Sequence, residues 1–469
     1  MSRTARRSRP AGQSPAPDTP RVLIVGGGFA AFHCARELER LLDPDEAQVT
    51  LASPNDYMLY SPLLPHVAAG TLNPTDIAVP LRRTLHRTLR APCSIIGVDL
   101  ERKVCVAHPV IGKDHLVPWD RLALCPGSVT RTFSIPGLID HGRGMKTLAE
   151  ARGLRDHVLA QLELGNTVSD PAERASHCTF VVVGAGYAGA ETAALLQSFT
   201  RRALSRFINL RPHDLHWMLV DVAKSVLPEL GEELGATALG MLHKQGIDVR
   251  LGVSVEKVEQ TVVHLSDGDS PGCRTLVWTA GVTASPLLAT LGLETGRSGR
   301  LVVTPTLQTP EHPDVFAAGD AAAVPDLTQE PGAITPPTAQ HAQRQGVTLA
   351  RNIAHSLRGE PCEDYRHHNL GLVVDLGGTR SVAKPLGLNL HGLPAQVVSR
   401  GYHLSALPSM RARSKAAASW VTHAALGEDY VRVGDDAGTG TLGELRAEAR
   451  YLSADEARAL ADELTDSPG

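Results

Sequence analysis

Short runs of β-branched residues stop at glycine, and the chain then resumes with apolar and polar positions at a helical period. Arg21-Val-Leu-Ile-Val25 is such a run. It ends in Gly26-Gly27-Gly28 and gives way to Phe29-Ala-Ala31-Phe-His-Cys-Ala-Arg-Glu-Leu38. The same rhythm returns at Phe180-Val-Val-Val183, then Gly184-Ala-Gly186-Tyr-Ala-Gly189, then Ala190-Glu191-Thr-Ala-Ala-Leu-Leu196. Each predicts strand, tight turn and helix in that order. Val49-Thr-Leu-Ala52 reads as a second parallel strand in the first unit. Leu215–Val220, Ile247–Leu251 and Thr275–Trp278 read as further strands in the second. Leu154, Val158 and Leu162, at helical spacing within 151–175, predict a connecting helix. Pro313–Asp320 reads as a strand closing on a Gly319-Asp320 turn, and Thr338–Ile353 as a helix. The stretch from about 365 to 430 mixes strand and helix signals.

A glycine turn between strand and helix leaves backbone N–H groups at the helix N-terminus uncovered by any Cβ. A pyrophosphate can approach them there. One such turn is common in plain connections, but two in the same context point to two bound dinucleotides.

Composition narrows the classes. The chain has 469 residues, of which 42% are hydrophobic and 20% charged, as in an ordinary globular protein with room for more than one core. A net charge of -4, with no basic stripe, argues against nucleic acid as a partner. The apolar stretches around 179–196 and 315–325 are too short or interrupted to span a bilayer. Residues 1–20 read as a disordered leader, not a secretory signal. The 7 cysteines show no CxxC pair and the histidines are scattered, so no metal site is expected. After Gly434 the acids outnumber the arginines, which predicts a solvated acidic tail. Ser453-Ala-Asp-Glu456 looks like a capping box opening a short helix.

Six stretches in fixed order carry a resemblance. They are the first glycine turn; Tyr57-Met-Leu-Tyr-Ser-Pro62-Leu-Leu-Pro-His-Val-Ala-Ala-Gly70; Leu122-Ala-Leu-Cys-Pro-Gly127-Ser; the second turn with Glu191; Val277-Trp-Thr-Ala-Gly281-Val; and Ala317-Ala-Gly319-Asp320. Pro336-Pro-Thr-Ala339-Gln340-His-Ala342-Gln-Arg344-Gln345-Gly346 adds a seventh. From about Arg21 to Trp420 the chain resembles the FAD flavoproteins with two dinucleotide-binding domains, specifically the type II NADH dehydrogenases.

The resemblance implies an α/β fold of two Rossmann-like domains plus a C-terminal α+β region. An FAD domain (21–150 and 300–365) would be split by an NADH domain with its linker helix (151–299). A C-terminal region (366–430) and an acidic tail (431–469) would follow. Gly26, Gly28 and Ala31 should approach the FAD pyrophosphate. Ser53 should meet the ribose and Asp320 the ribityl chain, with Gly127 and Gly319 also binding cofactor. Gly184, Gly186 and Gly189 should face the NADH pyrophosphate, with Asp221 taking the adenosine ribose hydroxyls and repelling a 2′-phosphate, and Gly281 is a further cofactor-binding position. Glu191 should lie by the flavin and nicotinamide rings, and Gln340 and Arg344 by a quinone.

Three departures stand out. Ser53 replaces the acid expected after the second strand, Ala31 replaces the third glycine, and Arg344 replaces the second glutamine of a pair spaced to share one helix face. The expected activity is transfer of a hydride from NADH to flavin and of two electrons onward to a quinone. A soluble acceptor is one rival. A sulfide:quinone oxidoreductase using Cys125, Cys178 and Cys362 is another, and a redox-sensing flavoprotein using the acidic tail a third. Leu404, Leu407, Met410, Trp420, Val421 and Leu426, beside Arg411, Arg413 and Lys415, give a modest amphipathic surface. It fits a cytoplasmic protein in weak peripheral contact with the inner face of the cell membrane. A homodimer is compatible with the resemblance.

Overall fold

The computed structural model describes residues 19–368, 370–432, 434, 440–443 and 451–466. The leader up to residue 18 and the tail acids Asp435, Asp436, Glu444 and Glu448 lie outside them.

Two five-stranded parallel sheets organise the molecule. The first runs Val315–Ala317, Arg121–Leu124, Arg21–Val25, Gln48–Ala52, Leu89–Ala91. The second runs Gly142–Arg143, Thr275–Trp278, Thr179–Val183, His216–Asp221, Ile247–Leu251. Parallel strands need crossovers that cover both faces, which is why their central strands read as unbroken apolar runs. Val22 to Val25 and Phe180 to Val183 are indeed all buried.

The first sheet is assembled from distant pieces. Val315–Ala317 lies beside Arg121–Leu124, with Phe316 opposite Ala123, although the whole second sheet intervenes in the chain. The helix Ala339–Arg358 then crosses the helix Phe29–Leu41 closely. A Cβ on Gly346 would stand 2.4 Å from the carbonyl oxygen of Ala30. Only glycine allows the two helices to meet at that depth.

Three further pieces frame these layers. Cys93–Asp99, Val104–Pro109 and His115–Pro118 form an antiparallel sheet. Val373–Asp375, Ser381–Ala383 and Leu390–His391 form another, followed by the helices Gly392–Ala406 and Met410–Leu426. The amphipathic surface expected there does not form a single face. Leu407 and Trp420 are buried, whereas Met410, Val421 and Leu426 are exposed. The helix turns Trp420 inward, edge-on to the ring of His66 at 6.0 Å. Among the described residues, no helix is long and apolar enough to cross a membrane.

The tail also departs from expectation. Ser453 and Glu456 exchange the hydrogen bonds of the capping box and open the helix Ala454–Asp466. That helix is docked, not solvated. Leu452, Ala457 and Val106 are buried together against the first antiparallel sheet. Arg102 pairs with Asp462, and Arg458 reaches Asp99 at 3.6 Å. An acid-rich sequence was read as an appendage, but its few small and apolar positions supply the contact.

Candidate functional site

The first glycine turn opens onto a cleft at the C-terminal ends of the first sheet's strands, where ligands bind in open α/β sheets. Gly26 has φ +112°, and a Cβ there would stand 2.1 Å from the Cys125 carbonyl oxygen, so glycine is required. Gly28 caps the helix Phe29–Leu41 with no side-chain hydrogen bond and nothing within 4 Å of its Cβ position. The helix N-terminus is therefore open to an anion. Gly26, Gly28, Ser53, Gly127, Gly319 and Asp320 all line this cleft. Ala31 does not: it is wholly buried in the core on the inner side of its helix.

Ser53 follows the second strand and is buried, its Oγ accepting the Asn55 amide at 3.3 Å. A Cβ on Gly27 would stand 2.4 Å from that oxygen. At the other end of the cleft Asp320 is held by neighbours the sequence did not single out. Ser128 donates to its carboxylate, and Lys146 Nζ reaches Ser128 Oγ at 2.7 Å and Asp320 at 3.4 Å. Lys146 sits outside every motif, so no sequence signal marked it. The Gly319 amide donates to Gln345 Oε1 at 2.7 Å, and Gln345 Nε2 to Thr335 at 3.0 Å. Gln345 thus fixes the turn that carries Asp320.

The second turn repeats the geometry. Gly184 has φ +111°, and Gly186 caps the helix Tyr187–Ala203 with open space where a side chain would stand. A Cβ on Gly189 would lie 1.7 Å from the Gly184 carbonyl oxygen. Asp221 ends its strand there. Its Oδ2 accepts the Ala185 amide inside the turn and its Oδ1 the Ala223 amide at 2.7 Å. Gly281, φ +96°, follows the neighbouring strand with nothing within 4 Å of its Cβ position. Tyr187, one residue past Gly186, carries a buried hydroxyl with no hydrogen-bond partner among the described residues.

Glu191 is 7% exposed, and its Oε1 accepts the Asp375 amide at 2.7 Å. Burial, and then the Asp375 carboxylate, push its carboxyl well above the usual range. His66 Nε2 lies 3.6 Å from Asp375 Oδ2. Burial lowers its pKa against the pull of Asp375, so the imidazole is neutral and the pair is a contact rather than an ion pair. Neither His66 nor Asp375 was singled out by the sequence.

Gln340 is buried and hydrogen-bonded through both atoms of its amide. Its Oε1 accepts the Leu370 amide at 2.9 Å and pairs with His367 Nε2 at 2.7 Å, and its Nε2 reaches the Gly371 carbonyl at 3.4 Å. Because Oε1 can only accept, His367 must carry its proton on Nε2. Burial and the Arg344 cation bring His367 down to about 4, so it is neutral. Half-buried Arg344 donates to the Gln340 carbonyl at 3.1 Å. Next to it His341 meets the Tyr365 hydroxyl at 2.9 Å.

The cysteines offer no redox pair. All seven are free thiols, Cys34, Cys93, Cys105, Cys125, Cys178 and Cys273 among them buried. Burial pushes Cys125 and Cys178 up to about 12, far from the thiolate that sulfide chemistry needs.

Comparison with known proteins agrees with this geometry. The family model of pyridine nucleotide-disulphide oxidoreductases matches residues 20–346. A type II NADH:quinone oxidoreductase of Mycobacterium tuberculosis is 30% identical over 421 residues, covering 86% of this chain and 88% of its own. One of Staphylococcus aureus is 26% identical over 389 residues, covering 82% of this chain and 94% of its own. The solved structure of NDH2 from Plasmodium falciparum in complex with NADH shares the fold at a TM-score of 0.80. It is 17% identical and covers 88% of this chain and 100% of the other.

Proposed function

Because the chain belongs to the pyridine nucleotide-disulphide oxidoreductases, and within them to the type II NADH:quinone oxidoreductases, we propose that it oxidises NADH and reduces a quinone with FAD as its cofactor. The observation that carries this is the pair of glycine turns, each feeding an uncapped helix N-terminus at the end of its own parallel sheet. The residues fit the two dinucleotides. A side chain at Gly28 or Gly186 would fill the space a pyrophosphate needs. When bound, FAD supplies the two-electron relay between nicotinamide and quinone.

The chain's own residues position and tune. Lys146, Ser128 and Asp320 form a polar cluster in the first cleft that suits the ribityl chain. Asp221 presents a carboxylate where a 2′-phosphate would be repelled, favouring NADH over NADPH. Glu191 places a buried carboxyl, its pKa raised by burial, on the helix that opens at the second turn. We assign the FAD domain to 21–150 and 300–365, the NADH domain to 151–299, and the C-terminal region to 366–430.

The quinone is assigned to the neighbourhood of Gln340 and Arg344. Leu370, whose amide holds Gln340, accepts the Leu386 amide at 3.1 Å. Leu370, Leu386 and Leu388 are 42%, 77% and 66% exposed. An apolar edge therefore lies one hydrogen bond from Gln340, which supports weak peripheral docking on a membrane surface that supplies the quinone.

The test is an anaerobic titration of the purified protein with NADH, and separately NADPH, following flavin absorbance before and after a quinone is added. Bleaching by NADH and recovery by the quinone are expected. A protein that cannot be loaded with FAD, or a flavin that NADH does not reduce, would overturn the proposal.

A further inference from the structure

The cleft beginning at the first glycine turn has one wall that the dinucleotide-binding domain does not supply. Asp320, Lys146, Gly26–Gly28 and Ser53 all line it, and Ser53 follows the strand Gln48–Ala52, where folds of this kind meet the adenosine ribose. Ser53 donates its amide to the Ala91 carbonyl at 3.0 Å, and Cys93-Ser-Ile95 continues from that edge strand. Ser53, Asn55 and Cys93–Ile95 thus line the cleft beside the second and edge strands. Tyr451, from the acidic tail, lines the cleft with them.

The tail is held there by a built contact. The Leu452 amide donates to the Ile96 carbonyl at 2.7 Å, beside the ring-bearing residue. The strand Cys93–Asp99 shifts register between Ile95 and Gly97, and a Cβ on Gly97 would stand 2.7 Å from the Cβ of Ala457. A glycine at the irregularity and an alanine, 0% exposed, on the helix let the two backbones approach. Arg458 reaches Asp99 at 3.6 Å and Glu101 at 3.3 Å, closing the far side.

We propose that Tyr451 and the docked helix Ala454–Asp466 close the adenine end of the FAD cleft, with the Tyr451 ring as a stacking surface for the purine. This rests on the assignment of FAD to that cleft. It also accounts for Ser53. One hydroxyl replaces a carboxylate that would take two ribose hydrogen bonds, and an aromatic ring on the adjoining base restores affinity without sequence-specific polar contacts. A tyrosine ring suits this because only two torsions need to be fixed.

The test is the dissociation constant of FAD, read by flavin fluorescence on protein stripped of cofactor. Wild type is compared with Tyr451→Ala, Tyr451→Phe and Ala457→Asp, and riboflavin 5′-phosphate serves as a ligand lacking adenine. Tyr451→Ala should weaken FAD by about tenfold to a hundredfold, the range of one base–ring stack. Tyr451→Phe should match wild type. Ala457→Asp, which puts a charge into the docking contact, should weaken FAD as Tyr451→Ala does. Riboflavin 5′-phosphate should bind all four proteins alike. Equal FAD affinity in wild type and Tyr451→Ala, or parallel loss of both ligands, would overturn this proposal alone. A wild-type protein that binds no flavin would overturn the functional assignment as well.

Discussion

Asp375 donates its backbone amide to Glu191 Oε1 at 2.7 Å, joining residues from the second dinucleotide unit and the C-terminal sheet in one buried contact. Burial first, and then the nearby Asp375 carboxylate, hold the Glu191 carboxyl well above its usual range.

A raised pKa means that the folded protein binds a proton the unfolded chain has released. The stability this gives is complete below the unfolded value of about 4.3 and is lost as pH rises toward the folded value. Glu191→Gln keeps the acceptor oxygen and removes the titration. Its melting temperature should therefore pull ahead of wild type progressively as pH rises above the unfolded value of about 4.3. Thermal denaturation at three pH values checks this, and parallel curves would mean that Glu191 ionises without cost.

Gln340 satisfies a backbone amide and an imidazole N–H at once. Gln340→Ala strands both donors and should cost about 1–3 kcal/mol of stability. With quinone it should raise KM, while the rate of flavin reduction by NADH stays near wild type. Stopped-flow reduction by NADH, set beside steady-state turnover with a quinone, separates the two half-reactions. Slowed reduction by NADH would place Gln340 in the wrong half.

Gly189→Ala puts a Cβ into the Gly184 carbonyl, 1.7 Å away, inside the turn assigned to NADH. The variant should purify with its flavin and lose reduction by NADH. Absorbance spectra before and after NADH provide the readout, and a fully reducible variant would contradict the assignment of this turn.

Asp221 uses both oxygens on backbone amides, one of them inside the second glycine turn. Asp221→Ala should weaken NADH binding by about tenfold, on the order of one lost charge-assisted hydrogen bond, and narrow the preference over NADPH. Kinetics of flavin reduction with each nucleotide test both effects. An unchanged ratio would leave Asp221 as a structural brace.

What the sequence made legible follows from locality. The strands Ile247–Leu251 and Thr275–Trp278 and both glycine turns are written in consecutive residues, so pattern alone placed them. Glu191 and Gln340 were named, but their partners were not. Asp375 stands 184 residues from Glu191 and His367 lies 27 from Gln340, distances at which no periodicity speaks. Ala31 was assigned to the cleft because fingerprints mark spacing and not orientation, and the helix turns it inward. The tail was misread for a related reason. Charge dominates its composition, while the contact depends on Gly97 and Ala457, both chosen for smallness.

The displaced strand Val315–Ala317 has a consequence for how the protein is made. Arg121–Leu124 leaves the ribosome as an open sheet edge, and its partner follows only after the entire second sheet. At about 5–20 residues per second that edge waits roughly 10–40 s. An unpaired edge exposed for so long invites strand exchange between nascent chains. The inserted unit is complete within its own span and can fold while the edge waits. The first sheet closes only once Val315–Ala317 has emerged, so flavin capture follows synthesis of the second sheet.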